Sequence, residues 1–167
     1  FANHIPVKKT TESVVHYLKD LGYEVVLAGK SHVNPPFVFR WDRFIRNSDK
    51  KKLNINAIEN YLKNSNKPFC LIIASDYPHG PYPQQKDYTI ADIKKQPYEN
   101  KIPNFKPGYY QNIKSDNSQL GKILELSDNL KLTDNSIFIY TSDHGISGKY
   151  GLYQKGLKIP FVIRWPG

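Results

Sequence analysis

Three short stretches combine residue types that can do acid–base or anion chemistry. Gly29-Lys30-Ser31-His32 sets a cation and an imidazole two positions apart. In an extended segment both point to the same side, which suits the binding of a tetrahedral oxyanion. By itself Lys-x-His is more often surface decoration than a site. Tyr77-Pro78-His79-Gly80-Pro81 holds a histidine between prolines that restrict the backbone around it. A rigidly held histidine suits general-acid work, although a lone loop histidine is usually solvated and idle. Ser142-Asp143-His144-Gly145 places a carboxylate beside an imidazole, then a glycine that lets the chain turn sharply and approach a ligand.

Each stretch follows an apolar run. Tyr23–Ala28, Phe69–Ser75 and Ile137–Thr141 are short and rich in β-branched or aromatic residues, so each reads as a strand. The continuous apolar runs at 69–75 and 137–141 are expected to be buried, the former as a fully buried parallel strand. Ile159–Ile163 reads as a further strand, returning to the sheet and stopped by Trp165-Pro166-Gly167. The chemistry-bearing residues therefore sit at the carboxyl ends of strands, where open α/β sheets bind ligands. Between the strands run helical patterns. Thr10 or Thr11 can cap a helix carrying Val14, Val15, Leu18 and Leu21, with Gly22 as its stop. Leu53, Ile55, Ile58, Tyr61 and Leu62 give a second helix, and 115–132 a third. The fold class expected is α/β, with a mainly parallel central sheet flanked by helices.

The chain carries a net charge of +9. One reading is attraction of an anionic substrate; the preferred one is Lys spread over a solvated surface. A nucleic-acid interface is not expected, because basic residues do not gather into a recognisable binding motif. The one dense run, Asp49-Lys50-Lys51-Lys52, is expected to begin a surface helix. Residues 34–47 carry Phe37, Phe39, Trp41 and Phe44, either as an aromatic substrate rim or as a loop folded on the core. Residues 82–112 read as a long irregular segment whose Tyr98, Tyr109 and Tyr110 contact a sugar or simply pack. No membrane segment is visible in the sequence. The chain has no Met and starts at Phe1, and 1–167 is expected to be part of a single catalytic domain, truncated at both ends.

The three motifs in this order, together with the Gly-x-Lys-x-Pro step (156–160) into a strand ending Arg164-Trp165-Pro166-Gly167, resemble the core of the type I, formylglycine-dependent sulfatases of the alkaline phosphatase superfamily. The Gly-Lys-Ser-His-Val-Asn-Pro run is most similar to the heparan N-sulfatase (sulfamidase) branch. The resemblance implies a partial sulfatase/alkaline-phosphatase-like fold. It implies hydrolysis of a sulfuric ester, or N-sulfate, on a sulfated carbohydrate, and export to the periplasm or outside the cell.

The same resemblance implies roles. Lys30 binds the sulfate, His32 assists the formylglycine hydroxyl, and His79 donates a proton to the leaving group. Asp143 and His144 are metal ligands, for calcium first, with magnesium or manganese open. Two lysines compete as a second sulfate-binding cation. The family's spacing to the proline at 160 selects Lys149 and leaves Lys155 on the surface. Cys70 is not the formylglycine precursor, because the required C/S-x-P-x-R pentad occurs nowhere in the chain; it reads as a small core residue. The chain alone is thus expected to turn over no sulfate ester. Two other readings stay open: a phosphodiesterase or phosphonate monoester hydrolase of the same superfamily, and an inactive, polyanion-binding relative.

Overall fold

The structure is a computed structural model that describes residues 5–89, 106–145 and 153–166. The chain divides into two units, Phe1–Leu124 and Glu125–Gly167.

The first unit is built on β1 (Glu24–Gly29). Its apolar residues reflect its position, because β1 is the central strand of a parallel sheet ordered β2-β1-β3. Val25, Val26 and Ala28 are wholly buried. On one side lies β2 (Arg43–Ile45), with Leu27 opposite Phe44. On the other lies β3 (Phe69–Ala74), in register from Glu24 opposite Phe69 to Gly29 opposite Ala74. The strand expected at 69–75 is therefore parallel, but it is half-buried rather than fully buried. Among the described residues it pairs with β1 alone. Cys70 is a free, half-buried thiol whose pKa burial raises, as befits a packing residue.

Helices supply the layers. Helix α1 (Val14–Asp20) starts at Ser13, whose N–H donates to His16 Nδ1 at 3.1 Å; the cap is thus Ser13 rather than Thr10 or Thr11. Gly22 ends it with φ +85°, a conformation that favours glycine. Helix α2 (Pro36–Phe39) and β2 fall in the aromatic segment. There Phe39 stacks on Trp41 with centroids 6.1 Å apart, and Val38 is buried. Helix α3 (Ile55–Asn64) is capped by Asn54, whose side chain accepts the Ala57 N–H at 3.1 Å. Its Ile58, Tyr61 and Leu62 face the core. The lysine run precedes this helix instead of opening it. Residues 49–52 form a tight turn, with Asp49 bridged to Lys52 and Lys50 at φ 26°. Helix α4 (Pro107–Asn129) begins eight residues before the expected start at 115, because Pro is tolerated in a first helical turn. Tyr109 lies in it and packs edge-on against Tyr82 at 5.8 Å. Tyr98 lies outside the described residues.

The second unit opens with the last turn of α4. A single 3₁₀ turn (Thr133–Asn135) leads to β4 (Phe138–Thr141). Helix α5 (Gln154–Leu157) is one turn long and precedes β5 (Phe161–Arg164). The two strands pair antiparallel, Phe138 opposite Arg164 and Thr141 opposite Phe161. The burial expected for 137–141 is not found in β4: Ile139 is 60% exposed and Tyr140 40%. Each strand pairs only with the other among the described residues.

Candidate active site

In the first unit the chemistry sits past the carboxyl ends of β1 and β3. Gly29 closes β1 at φ +96°, and a Cβ there would lie 2.2 Å from the Ala74 carbonyl oxygen. Only glycine fits such an approach. The next residue, Lys30, donates its backbone N–H to that same carbonyl at 2.8 Å. Its side chain is thereby launched beyond the sheet, about a quarter exposed, with Nζ 3.7 Å from Asp76 Oδ1. Asp76 also accepts from Asn47 Nδ2 at 2.8 Å. His32 is exposed, two residues beyond Lys30.

The loop after β3 presents His79 to solvent. Its Nδ1 lies 2.7 Å from the Gly80 carbonyl oxygen. A carbonyl only accepts, so Nδ1 carries a proton and Nε2 is the atom left for exchange chemistry. The loop's carbonyls are themselves held. Asn112 of α4, 3% exposed, donates from Nδ2 to the His79 oxygen at 3.0 Å and the Pro78 oxygen at 3.4 Å. Lys51 Nζ donates to the oxygens of His79 and of Pro81, the latter at 3.0 Å. Burial holds the Lys51 ammonium below its ordinary pKa; Lys30 pushes the same way and Asp76 opposes. A pocket of about 350 Å³ opens here, lined by the lysine turn together with Asp76, Tyr77 and Pro81.

In the second unit Asp143 and His144 follow β4 directly. His144 Nδ1 donates to the Gly145 carbonyl at 2.8 Å, which leaves Nε2 as the ring atom that could bind a cation. That Nε2 lies 3.7 Å from Asp143 Oδ1. Gly145 is packed against the α5 turn: its N–H donates to Gly156 O at 2.8 Å, and a Cβ would meet the Lys155 carbonyl at 2.3 Å. Lys155 is exposed on α5, as expected for a surface lysine. Lys149 lies outside the described residues.

Lys30 and His79 thus come from adjacent, in-register strand ends of one sheet; each follows a strand, as its motif predicts. Three neighbours escaped the sequence reading. Asp76 was visible next to the Pro-His motif, with no role given. Lys51 was hidden in what looked like a solvated charge run. Asn112 gave no signal, because it acts on backbone carbonyls 33 and 34 residues away.

Residues 2–167 match the sulfatase family. The chain belongs to the sulfatase family. Among sulfatases it is 47% identical over 177 residues to an ulvan-active sulfatase of Formosa agariphila, covering 99% of this chain and 35% of that protein. It is 27% identical to an endo-4-O-sulfatase of Bacteroides thetaiotaomicron, over 81% of this chain and 32% of that protein. Its fold is shared by a Bacteroides thetaiotaomicron structure from work on the metabolism of multiple glycosaminoglycans, with a TM-score of 0.72 at 20% identity, covering 97% of this chain and 49% of that one. The chain spans about a third of the length of these sulfatase relatives.

Sulfatases use a metal and a formylglycine. Two ligands each about 2.3 Å from one cation stand roughly 3.2–3.9 Å apart, so the Asp143–His144 spacing of 3.7 Å fits a shared metal. The pair supplies part of a shell: among the described residues no group of three or more His, Cys, Asp or Glu gathers. Among the same residues no helix is long and apolar enough to cross a membrane.

Proposed function

We propose that this chain is part of the catalytic domain of a sulfuric ester hydrolase acting on a sulfated carbohydrate, an ulvan-type polysaccharide foremost. The observation that carries the reading is the placement of Lys30 and His79 past paired strand ends, on Gly29 opposite Ala74, within a chain of the sulfatase family. The 47% identical relative supports the ulvan choice, and the endo-4-O-sulfatase supports an O-sulfate over an N-sulfate.

The residue roles follow from charge and proton demand. A sulfate ester keeps negative charge on its nonbridging oxygens, and its alkoxide leaving group must gain a proton. Lys30 supplies the cation, and its ion pair with Asp76 fixes its direction. His79 in its doubly protonated form delivers the proton from Nε2, since the Nδ1–H is already engaged with the Gly80 carbonyl. His32 serves as an auxiliary base toward the formylglycine hydroxyl, and Lys149 as a second sulfate-binding cation. Asp143 and His144 hold a divalent metal, calcium first, with magnesium or manganese as the other choices. When bound, such a metal polarises sulfate oxygens and raises nucleophile reactivity.

The test is sulfate release, read by ion chromatography, from ulvan and from O-sulfated and N-sulfated glycosaminoglycans, using the protein made from its complete gene. Release from ulvan above the other polymers is expected. Release of phosphate from phosphodiesters, with no sulfate from any polymer, would move the assignment to phosphoryl chemistry. Salt-sensitive polymer binding without release would leave an inactive relative.

A further inference from the structure

Two donors from separate elements converge on one carbonyl. Lys51 reaches the His79 oxygen from the tight turn before α3, and Asn112 reaches the same oxygen from the first turns of α4. Each also holds a second carbonyl of the loop, Lys51 that of Pro81 and Asn112 that of Pro78. Neither role follows from residue type alone. A lysine in a run of charges ordinarily points to water, and the turn is what prevents it here. Asn47 Nδ2 donates to Lys50 O at 2.8 Å, Ser48 N–H donates to Lys52 O at 2.9 Å, and Lys50 takes φ 26°. The turn so fixed directs Lys51 back over Tyr77, 5.6 Å from the ring centroid, and onto the loop. Asn112 is buried, and a buried amide without partners is costly, so its bonds to the loop bind the two elements to each other.

We infer that Lys51 and Asn112 are positioning residues that clamp the His79 loop and so hold the imidazole where it can protonate the leaving oxygen. The inference rests on the proposed general-acid role of His79. A clamp on the main chain of the acid's own residue limits how far Nε2 can wander. Proton delivery depends on hydrogen-bond reach, and small displacements of a positioned group cost rate steeply.

The experiment uses the protein from its complete gene and the variants Lys51→Met, Lys51→Arg and Asn112→Leu. Hydrogen–deuterium exchange of peptides covering 75–82 reads the clamp directly, whatever the activity. Turnover of two substrates reads its consequence. Carbohydrate sulfate has a poor leaving group that needs the proton; 4-nitrophenyl sulfate has a good one that scarcely does. Lys51→Met is expected to accelerate exchange in 75–82 but not in β1, and to lower kcat on the carbohydrate sulfate about tenfold or more while leaving the aryl sulfate within about threefold. Lys51→Arg keeps two donors and should restore most of both. If Asn112→Leu fails to fold, Lys51→Met, on the turn, still decides. Unchanged exchange in 75–82 would overturn the clamp. Faster exchange with an equal fall on both substrates would overturn its link to proton delivery. If the wild-type protein releases no sulfate, the sulfatase reading fails, and the exchange data alone still decide whether the clamp exists.

Discussion

At His79 the atom to watch is Nε2, because Nδ1 is committed to the Gly80 carbonyl. Replacing His79 with Gln should lower kcat on carbohydrate sulfate by about 10²–10⁴-fold, the range for one general acid, with a much smaller loss on an aryl sulfate. Steady-state rates on the two substrates check it. Lys30→Gln removes a cation rather than a proton, so it should affect both substrates alike, by roughly 10–100-fold in kcat/KM. A loss confined to the poor leaving group would contradict that division of labour. The placement of both just past strand ends was legible in the sequence, because motif and strand end coincide. Their supports were not. Asp76 pairs with Lys30 across two strand ends, and Lys51 and Asn112 bind carbonyl oxygens. Main-chain acceptors leave no trace in residue identity, and a lysine in a run looks the same whether it faces water or a loop.

Among the elements, β1 decides where Lys30 goes, and two local features fix β1. Gly29→Ala would force a Cβ to within 2.2 Å of the Ala74 oxygen at a positive φ. A loss of about 2–4 kcal/mol in denaturant unfolding is expected, with Lys30 displaced as well. At the other end, the Asp42 carboxylate accepts the Val25 N–H at 2.8 Å and the Lys19 ammonium at 2.5 Å. Burial alone would raise its pKa, but the Lys19 hydrogen bond, the Val25 N–H and the Lys19 charge outweigh it and the pKa is lowered. A carboxylate depressed in the folded state adds stability above its ordinary unfolded pKa and loses it as pH falls through the folded value. Asp42→Asn should therefore cost under about 1 kcal/mol near neutral pH, the pair being partly exposed, and nothing at acid pH. Urea midpoints at the two pH values measure this; a cost that persists in acid would contradict it. The strands β1 and β3 and the helices α1 and α3 were readable from periodicity. β2 was not, since three residues beginning with Arg43 are too few to show alternation. The burial of β3 and β4 was over-read for a different reason. An apolar run reports what a strand can bury, while its neighbours decide what it does bury.

Across the whole chain, membership of the sulfatase family and the α/β fold were legible because three motifs follow three strands in order. The net charge of +9 adds little to that, being carried mostly by lysines with no shared face in the sequence. The metal ligands proposed, Asp143 and His144, make the most direct test possible, because metal dependence and sulfate release then rest on one site. The measurement is sulfate released from ulvan by the protein from its complete gene, wild type against Asp143→Asn, with and without a chelator. Wild-type release that falls at least about 100-fold with chelator, returns with added calcium, and is lost in Asp143→Asn is the expected result. Sulfate release untouched by both the chelator and the substitution would contradict the metal assignment, and no sulfate release from the wild-type protein would contradict the function itself.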